Sequence, residues 1–346
     1  MEMPVVQALL GNVLRQYGLQ LANFEGLASG GCINNTFFIR ANNEDFVLQR
    51  VNTQVFANVE ALHNNIAMIA AHLQLRGMYC IPEFVAPRGS SSLFVRVNNE
   101  IWRLQKRVMN VHSQCDDKVA AAREVGNAFG AFLCALEGID VSRLVATIPR
   151  FHDLELRLEQ LEQAVKLDVC QRVAQCQDLL GVAMSYAPQM LRLWQDTLRN
   201  LPRRVTHNDT KIDNVLLDKS TGKARCIVDL DTVMPGIVHS DFGDAIRALF
   251  RNEPFDQVVF REFACAWLSH TAPCLTEAEL STLHLAPGYM CFLSAVRYLT
   301  DYLAGDVYFQ IKEEQQNLLR ARRHLDMCRE MQQQQEYMRN VIASFR

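Results

Sequence analysis

The spacing of apolar residues divides the chain into a strand-rich stretch and a longer helical one. In MEMPVVQALLGNVLRQYG a polar residue interrupts the apolar ones every few positions, which predicts an amphipathic helix. The period then shortens. Phe24 to Ser29, Asn35 to Arg40 and Phe46 to Val51 carry β-branched and aromatic residues between Gly30-Gly31 and Ala41-Asn42-Asn43, the mark of consecutive hairpins. Helical spacing returns from about Val59 to Arg76, with Leu62, Ile66, Ile69, Ala70 and Leu73 on one face. A second hairpin is expected from Leu93 to Val97 and Ile101 to Lys106, around Asn98-Asn99. From Asp116 to Pro202 the pattern is helical, and the sole later β signal is Val215 to Leu217 with Cys226 to Val228. Beyond Asp241 helix is expected to the end, including the polar tail from Glu313, which keeps helix formers throughout. The expected fold is α+β with two lobes: a small β-rich N-lobe over residues 1–110 and a larger, mainly helical C-lobe over 111–346. A cleft between such lobes is where ligands bind.

The candidate chemistry lies around the late β signal. His207 to Asn214 fits H-x-D-x-x-x-x-N, the catalytic loop of protein-kinase-like phosphotransferases. Phosphoryl transfer asks a protein for positioning and charge stabilisation. The spacing lets Asp209 face the attacking hydroxyl and Asn214 face a metal, while Lys211 neutralises charge on the transferring group. Mg²⁺ favours oxygen ligands and needs a second carboxylate; Asp229, at the end of the apolar strand Cys226 to Val228, supplies it. His207 is expected to order the loop through hydrogen bonds, since Asp209 already fills the role of base. Asp241-Phe242-Gly243 spells the metal-binding triplet of protein kinases but falls at a helix start, where Asp241 and Asp244 read as an N-cap with acidic support. Asp229 is therefore taken as the metal ligand and Asp241 as structural.

Composition narrows the partners. Of 346 residues 49% are apolar and 21% charged, the balance of a globular protein with a core, and the formal net charge of −3 favours neither nucleic acid nor an acidic membrane surface. Arg320 to Arg323 reads as a solvated helix face. Eleven cysteines occur without a C-x-x-C pair, which predicts free thiols in a reducing compartment. With no basic n-region at the start and no run of apolar residues long enough to span a bilayer, a soluble cytoplasmic protein is expected.

With these motifs the sequence resembles the aminoglycoside phosphotransferase and choline kinase superfamily, and within it, closely, the N-acetylhexosamine 1-kinases. The resemblance runs nearly end to end. It includes Ile33-Asn34-Asn35-Thr36-Phe37 after the glycine turn, Phe46 to Asn52, Ile148 to Asp153, Val228 to Gly236, and Arg297 to Phe309. It implies a protein-kinase-like two-lobed fold, ATP as co-substrate, Mg²⁺ as cofactor, and phosphorylation of an N-acetylhexosamine at C1. In such an enzyme Asp209 is the base, Asn214 and Asp229 are the metal ligands, and Arg297, Tyr308, Asn35 and Asp231 contact the sugar. Gly30-Gly31 would cover the phosphates. Two positions depart from the pattern. Cys32 stands where a histidine is usual, and a thiol is a poor hydrogen-bond donor. The strand that carries a phosphate-binding lysine in protein kinases offers Gln49 and Arg50, which alternate faces, so only one of them enters the cleft. Glu60, at the head of the next helix, is either the natural partner of one of them or an exposed helix-start glutamate. Kinases of other small acceptors, such as an aminoglycoside, choline or another sugar, and a nucleotide-binding pseudokinase are the alternatives; intact Asp209, Asn214 and Asp229 argue against the last.

Overall fold

Two pairs of asparagines fold the N-terminal sheet. Asn42 and Asn43, and again Asn98 and Asn99, adopt positive φ (47°, 66°, 52° and 63°), the conformation that two-residue hairpin turns require at both central positions and that asparagine tolerates. The computed structural model describes residues 3–27, 33–78, 80–113 and 115–345. In chain order the first 110 residues contain α1 (Met3–Gln16), β1 (Leu21–Leu27), β2 (Asn35–Ala41), β3 (Glu44–Val51), α2 (Val59–Leu75), β4 (Phe84–Val85), β5 (Val95–Val97) and β6 (Glu100–Lys106). The strands form one antiparallel sheet in the order β1-β2-β3-β6-β4, with β5 also paired to β6. Leu10, Val13 and Leu14 of α1 pack with Leu48, Trp102 and Leu104 on one sheet face. Register then decides the opposite face. Thr36, Gln49 and Arg103 lie directly opposite one another across β2, β3 and β6, whereas Asn35, Arg50 and Trp102 form the adjacent row and point the other way.

The expected hairpins and the helix between them are present, with the short β4 added. Although α2 follows the sheet in sequence, it belongs to the core of the second lobe: Leu62, Ile66, Ile69 and Leu73 are buried in one cluster with Phe129 and Phe132. Asn65 fixes this docking. Its amide donates to Val145 O (2.8 Å) and accepts from Val145 N (3.1 Å).

The second lobe contains β7 (Val111–His112), α3 (Lys118–Ala135), α4 (Leu154–Leu167), α5 (Gln177–Arg192), β8 (Arg204–Thr206), β9 (Val215–Asp218), β10 (Ala224–Ile227) and β11 (Met234–Gly236). It continues with α6 (Val238–Leu249), α7 (Gln257–Thr271), α8 (Glu277–Thr282), α9 (Ala286–Leu303), α10 (Gln316–Gln333) and α11 (Gln335–Ala343). The β9–β10 hairpin appears as expected and gains β7 on its other edge. The ribbon β8–β11 does not follow from the hydrophobic pattern: its strands are three residues each, Arg-Val-Thr and Met-Pro-Gly, too short to show a period. The tail is helical and docked. Arg323 donates to Phe250 O (2.9 Å) and Arg320 lies over Tyr298 (5.6 Å), so the Arg320 to Arg323 run is part of a packing seam, not a solvated face. Among the described residues no helix is long and apolar enough to cross a membrane.

The tightest helix contact in this core depends on two glycines of α3. A Cβ placed on Gly126 would stand 2.5 Å from Phe263 O, and one on Gly130 would stand 2.8 Å from Trp267 O, both on α7. Gly130→Ala is expected to push α3 from α7 and lower stability by about 1–3 kcal/mol, the usual range for overpacking. Urea denaturation checks this, and an unchanged midpoint would contradict so close an approach.

Candidate active site

The loop from His207 to Lys211 leaves β8 with its backbone already committed. Asp241, on the first turn of α6, accepts the N–H of His207 (2.9 Å) on one carboxylate oxygen and that of Asn208 (2.7 Å) on the other. Thr210 donates its hydroxyl to Asp241 O (2.6 Å) and its N–H to Asp244 (3.0 Å), which also binds Arg247 (2.7 Å). From the β11 side, Thr232 donates to His207 O (2.7 Å), and Asn208 donates to Thr232 O (2.9 Å). Asn208 turns through φ 64° to reach these partners. Asp241 is therefore structural, as expected, but not as an N-cap: Ile237 precedes the helix, and Asp241 spends its carboxylate on the loop. Burial pushes its pKa up to about 7, against the two backbone donors that favour the anion.

His207 lies among Phe129 and Phe132. Its Nε2 meets Val228 O (3.2 Å) and its Nδ1 accepts the N–H of Asp209 (3.3 Å), which assigns the ring proton to Nε2. Burial holds its pKa below the ordinary value. A neutral ring with both nitrogens engaged orders the loop and is no base.

Asp209 emerges from this frame into the cleft. Its Oδ2 receives Lys211 Nζ (2.7 Å) and Asn214 Nδ2 (3.0 Å). Burial raises its pKa, but Lys211, then His207 and Asn214, bring it below the usual carboxylate value, so the group is ionised at neutral pH. Asn214 and Asp229 come from adjacent ends of the β9–β10 hairpin, joined where Val228 N donates to Asn214 O (2.9 Å). Asp229 itself has φ 61°, a left-handed conformation that costs a non-glycine residue strain and that clusters at functional sites. Lys211 Nζ stands 3.9 Å from its carboxylate. Within the concave cleft, desolvation raises the Asp229 pKa to about 6; Lys211 opposes, and Asp231 and Asp209 add to the rise. Crowded acids with an amide oxygen beside them are a hard-oxygen donor set, and the charge a divalent cation would relieve is already there. Asp209, Lys211, Asn214 and Asp229 all line one cavity of about 680 Å³ between the lobes, opposite Gln49 and Phe38.

The N-lobe residues separate by face. Gln49 enters the cleft, donating to Thr36 (3.0 Å) and accepting from Arg103 Nε (2.9 Å) and Gln105 (2.8 Å). Arg50 points away and pairs with Glu100 (2.5 Å) and Asn35 (2.8 Å). Asn35 thus shares the far face, and its neighbour Asn34 turns inward. Neither Gln49 nor Arg50 meets Glu60, which pairs with Arg96 at the surface (2.5 Å). Asp231 does not offer its carboxylate to a ligand. One oxygen binds Arg103, buried behind Gln49, and the other accepts from Asn34 Nδ2 (2.5 Å). Asn34 and Arg103 are what the sequence reading missed. The period-2 register with Gln49 marks Arg103 as cleft-side, but nothing local pairs it with a residue in the other lobe. Gly30, Gly31 and Cys32 lie outside the described residues.

Arg297 and Tyr308 are brought together. Helix α9 stops at Leu303, Gly305 and Asp306 take positive φ (95° and 59°), and Asp301 accepts the returning N–H groups of Tyr308 (2.7 Å) and Phe309 (2.9 Å). Asp301 is thereby withdrawn from the i,i+4 pair it would make with Arg297. Among the described residues no carboxylate pairs with Arg297; its guanidinium sits over Phe151 (4.9 Å), Phe309 (5.3 Å) and Tyr308 (5.4 Å). His152, stacked on Phe151, is held well below the ordinary imidazole pKa, first by burial and then by Arg297, while Asp209 pulls the other way. The imidazole is thus within electrostatic reach of both the aromatic cage and the Asp209 carboxylate.

A model of the phosphotransferase enzyme family matches residues 26–270 of the chain. Among solved structures, an aminoglycoside phosphotransferase from Alicyclobacillus acidocaldarius superposes with a TM-score of 0.66 at 12% identity, covering 96% of each chain. A spectinomycin phosphotransferase in complex with ADP and spectinomycin gives 0.65 at 11% identity, over 96% of this chain and 99% of that one. A choline/ethanolamine kinase family protein from Mesorhizobium loti gives 0.60 at 16%, over 100% and 99%. At such identities the likeness is one of fold, and it agrees with the two-lobed, kinase-like α+β architecture expected from the sequence.

Removing one partner of a buried ion pair strands the other, at about 3–5 kcal/mol. Arg103→Ala is therefore expected to lower the unfolding free energy by that amount, whereas Arg50→Ala, at a half-exposed pair, should cost under about 1 kcal/mol. Equal losses in chemical denaturation would refute the assignment of Arg103 as the tie between the lobes.

Proposed function

The chain belongs to the phosphotransferase enzyme family, and on that premise we propose that it moves the γ-phosphate of ATP onto the anomeric hydroxyl of an N-acetylhexosamine, releasing ADP and the sugar 1-phosphate. The interlobe cavity is the proposed nucleotide site. Asn214 and Asp229 would hold a Mg²⁺ ion, which would supply positive charge against the phosphates of the nucleotide. Asp209, ionised and fixed by the loop, accepts the hydroxyl proton as the new oxygen–phosphorus bond forms and the bond to ADP breaks. Lys211, already beside Asp209, offsets charge on the transferring group. Gln49 faces the cleft but brings no charge; the cations that line the cavity are Lys106, Arg107, Lys211 and Lys219. Free thiols among the described cysteines and the need for ATP accord with a cytoplasmic setting.

The observation that carries the acceptor reading is Arg297 in its aromatic cage, without a carboxylate partner among the described residues. A guanidinium offers fixed donors to ring hydroxyls and an acetamido carbonyl, and aromatic faces suit the C–H face of a sugar. An acceptor rich in ammonium groups, such as an aminoglycoside, would be repelled there. The resemblance of Arg297 to Phe309 to N-acetylhexosamine 1-kinases supports the same choice.

Phosphorus NMR of reactions with ATP, Mg²⁺ and a panel of free sugars tests the proposal. The expected product is a 1-phosphate, formed from N-acetylglucosamine or N-acetylgalactosamine in preference to glucose or galactose. A 6-phosphate signal, or turnover confined to amino alcohols, overturns it. Losing a hydrogen bond from a charged donor costs about 1.5–3 kcal/mol, so Arg297→Ala should weaken sugar affinity by roughly 10- to 100-fold and leave the nucleotide constant unchanged. Normal sugar binding in that variant would remove Arg297 from the acceptor site.

A further inference from the structure

Remote from the cleft residues described above, three potential metal ligands meet where two helices end together. Helices α3 and α7 run in the same direction, since Arg123 meets Glu262, Gly126 faces Phe263 and Gly130 faces Trp267. Their C-termini therefore lie side by side. Cys134 is in the last turn of α3, Glu137 follows its cap, and Cys274 closes the short turn Ala272–Cys274 after α7. The two Sγ atoms and one Glu137 carboxylate oxygen all lie within 4.8 Å of one another. We propose that Cys134, Glu137 and Cys274 form a binding site for a thiophilic divalent cation of the zinc class, unrelated to the phosphotransfer site.

Three features of the surroundings favour that occupant. First, two sulfurs and a carboxylate oxygen at this separation fit three corners of a tetrahedron about Zn²⁺, with water completing the fourth, and the thiolates select against Mg²⁺ and Ca²⁺. Second, a cation stands beside the site: two thiolates and a carboxylate around a divalent ion would leave one negative charge, and Arg204, 3.5 Å from Glu137 while paired with Glu279, lessens its cost. Arg204 is anchored independently by Glu279 (2.8 Å) and Cys274 O (2.7 Å), so it remains in place when Glu137 turns to the ion. Third, the carbonyl ends of two helices converge there, which favours a cation. In the metal-free chain Cys274 is pushed up to about 12 by burial, then by Glu137 and Cys134, and its S–H donates to Thr271 O (3.0 Å). Binding involves no oxidation. Both thiol protons pass to solvent, and the S–H contact to Thr271 is replaced by the bond to the metal.

Cobalt(II) tests this on the full chain, reduced and stripped with chelator. Titration should give close to one equivalent of bound Co²⁺ with an intense near-ultraviolet thiolate-to-cobalt band and the visible bands of a four-coordinate ion, all bleached by Zn²⁺. Cys134→Ser and Cys274→Ser should each abolish the thiolate band. Glu137→Gln should weaken affinity by more than the ~10-fold that loss of an outer partner costs. Zn²⁺ should raise the Tm of the wild-type chain and not that of either serine variant, a readout that holds even where a variant starts less stable. Co²⁺ bands that persist in both serine variants overturn the site, as does a reduced wild-type chain that binds no Co²⁺. Phosphotransfer activity plays no part in the readout, so this inference and the proposed reaction stand or fall separately.

Discussion

Everything at the cleft rests on one buried carboxylate. Asp241 accepts two consecutive backbone N–H groups, those of His207 and Asn208, and so fixes the stretch of chain from which Asp209 projects. Charge-assisted bonds of this kind are about twice as strong as neutral ones, and they oppose, without cancelling, the burial that raises the Asp241 pKa. The helix carrying Asp241 is itself immobilised. Phe242 packs among Phe260, Phe263 and Trp267, and a Cβ on Gly243 would stand 2.6 Å from Ala286 O of α9. The triplet Asp241-Phe242-Gly243 thus makes a loop clamp, a core anchor and a close helix contact in three successive residues. In this fold it holds the His207–Lys211 loop from behind.

From that clamp the geometry propagates forward. His207, neutral and doubly bonded, joins the loop to Val228, and Val228 joins Asn214 to the hairpin that ends in Asp229. Asp209, Asn214 and Asp229 are therefore positioned by one continuous set of short bonds from the core of the C-lobe. The N-lobe is tied in at a different point, where Arg103 and Asn34 share the carboxylate of Asp231, two residues beyond Asp229. A pair this deeply buried holds orientation, because parting its members would strand each charge in the interior. The lobe relation and the position of Asp229 are thus set within the same short segment.

Much of this could be read from the sequence, for identifiable reasons. Short-range signals were sufficient for the asparagine turns, the α2 face and the β9–β10 hairpin ending in Asp229. What stayed hidden depends on partners far along the chain. The sequence marks Asp241 as structural but cannot say that its carboxylate faces the loop, because helix-start acids more often serve their own helix. Gln49 and Arg50 are resolved only by register, which sets Gln49 beside Arg103 and Arg50 beside Glu100. Asp231 resembles a ligand contact in its motif, yet both its oxygens are used within the protein. The convergence of Cys134 and Cys274 follows from the parallel packing of α3 on α7, which no local spacing reveals.

Asp209, held by its loop, is the proposed proton acceptor of the reaction. Turnover and nucleotide affinity measured together on Asp209→Asn test it directly, because the amide keeps the size of the side chain and removes its basicity. Turnover should fall by at least the ~10²–10⁴-fold that base catalysis contributes, with nucleotide affinity and Tm close to wild type. Turnover within a few fold of wild type in that variant would contradict the account.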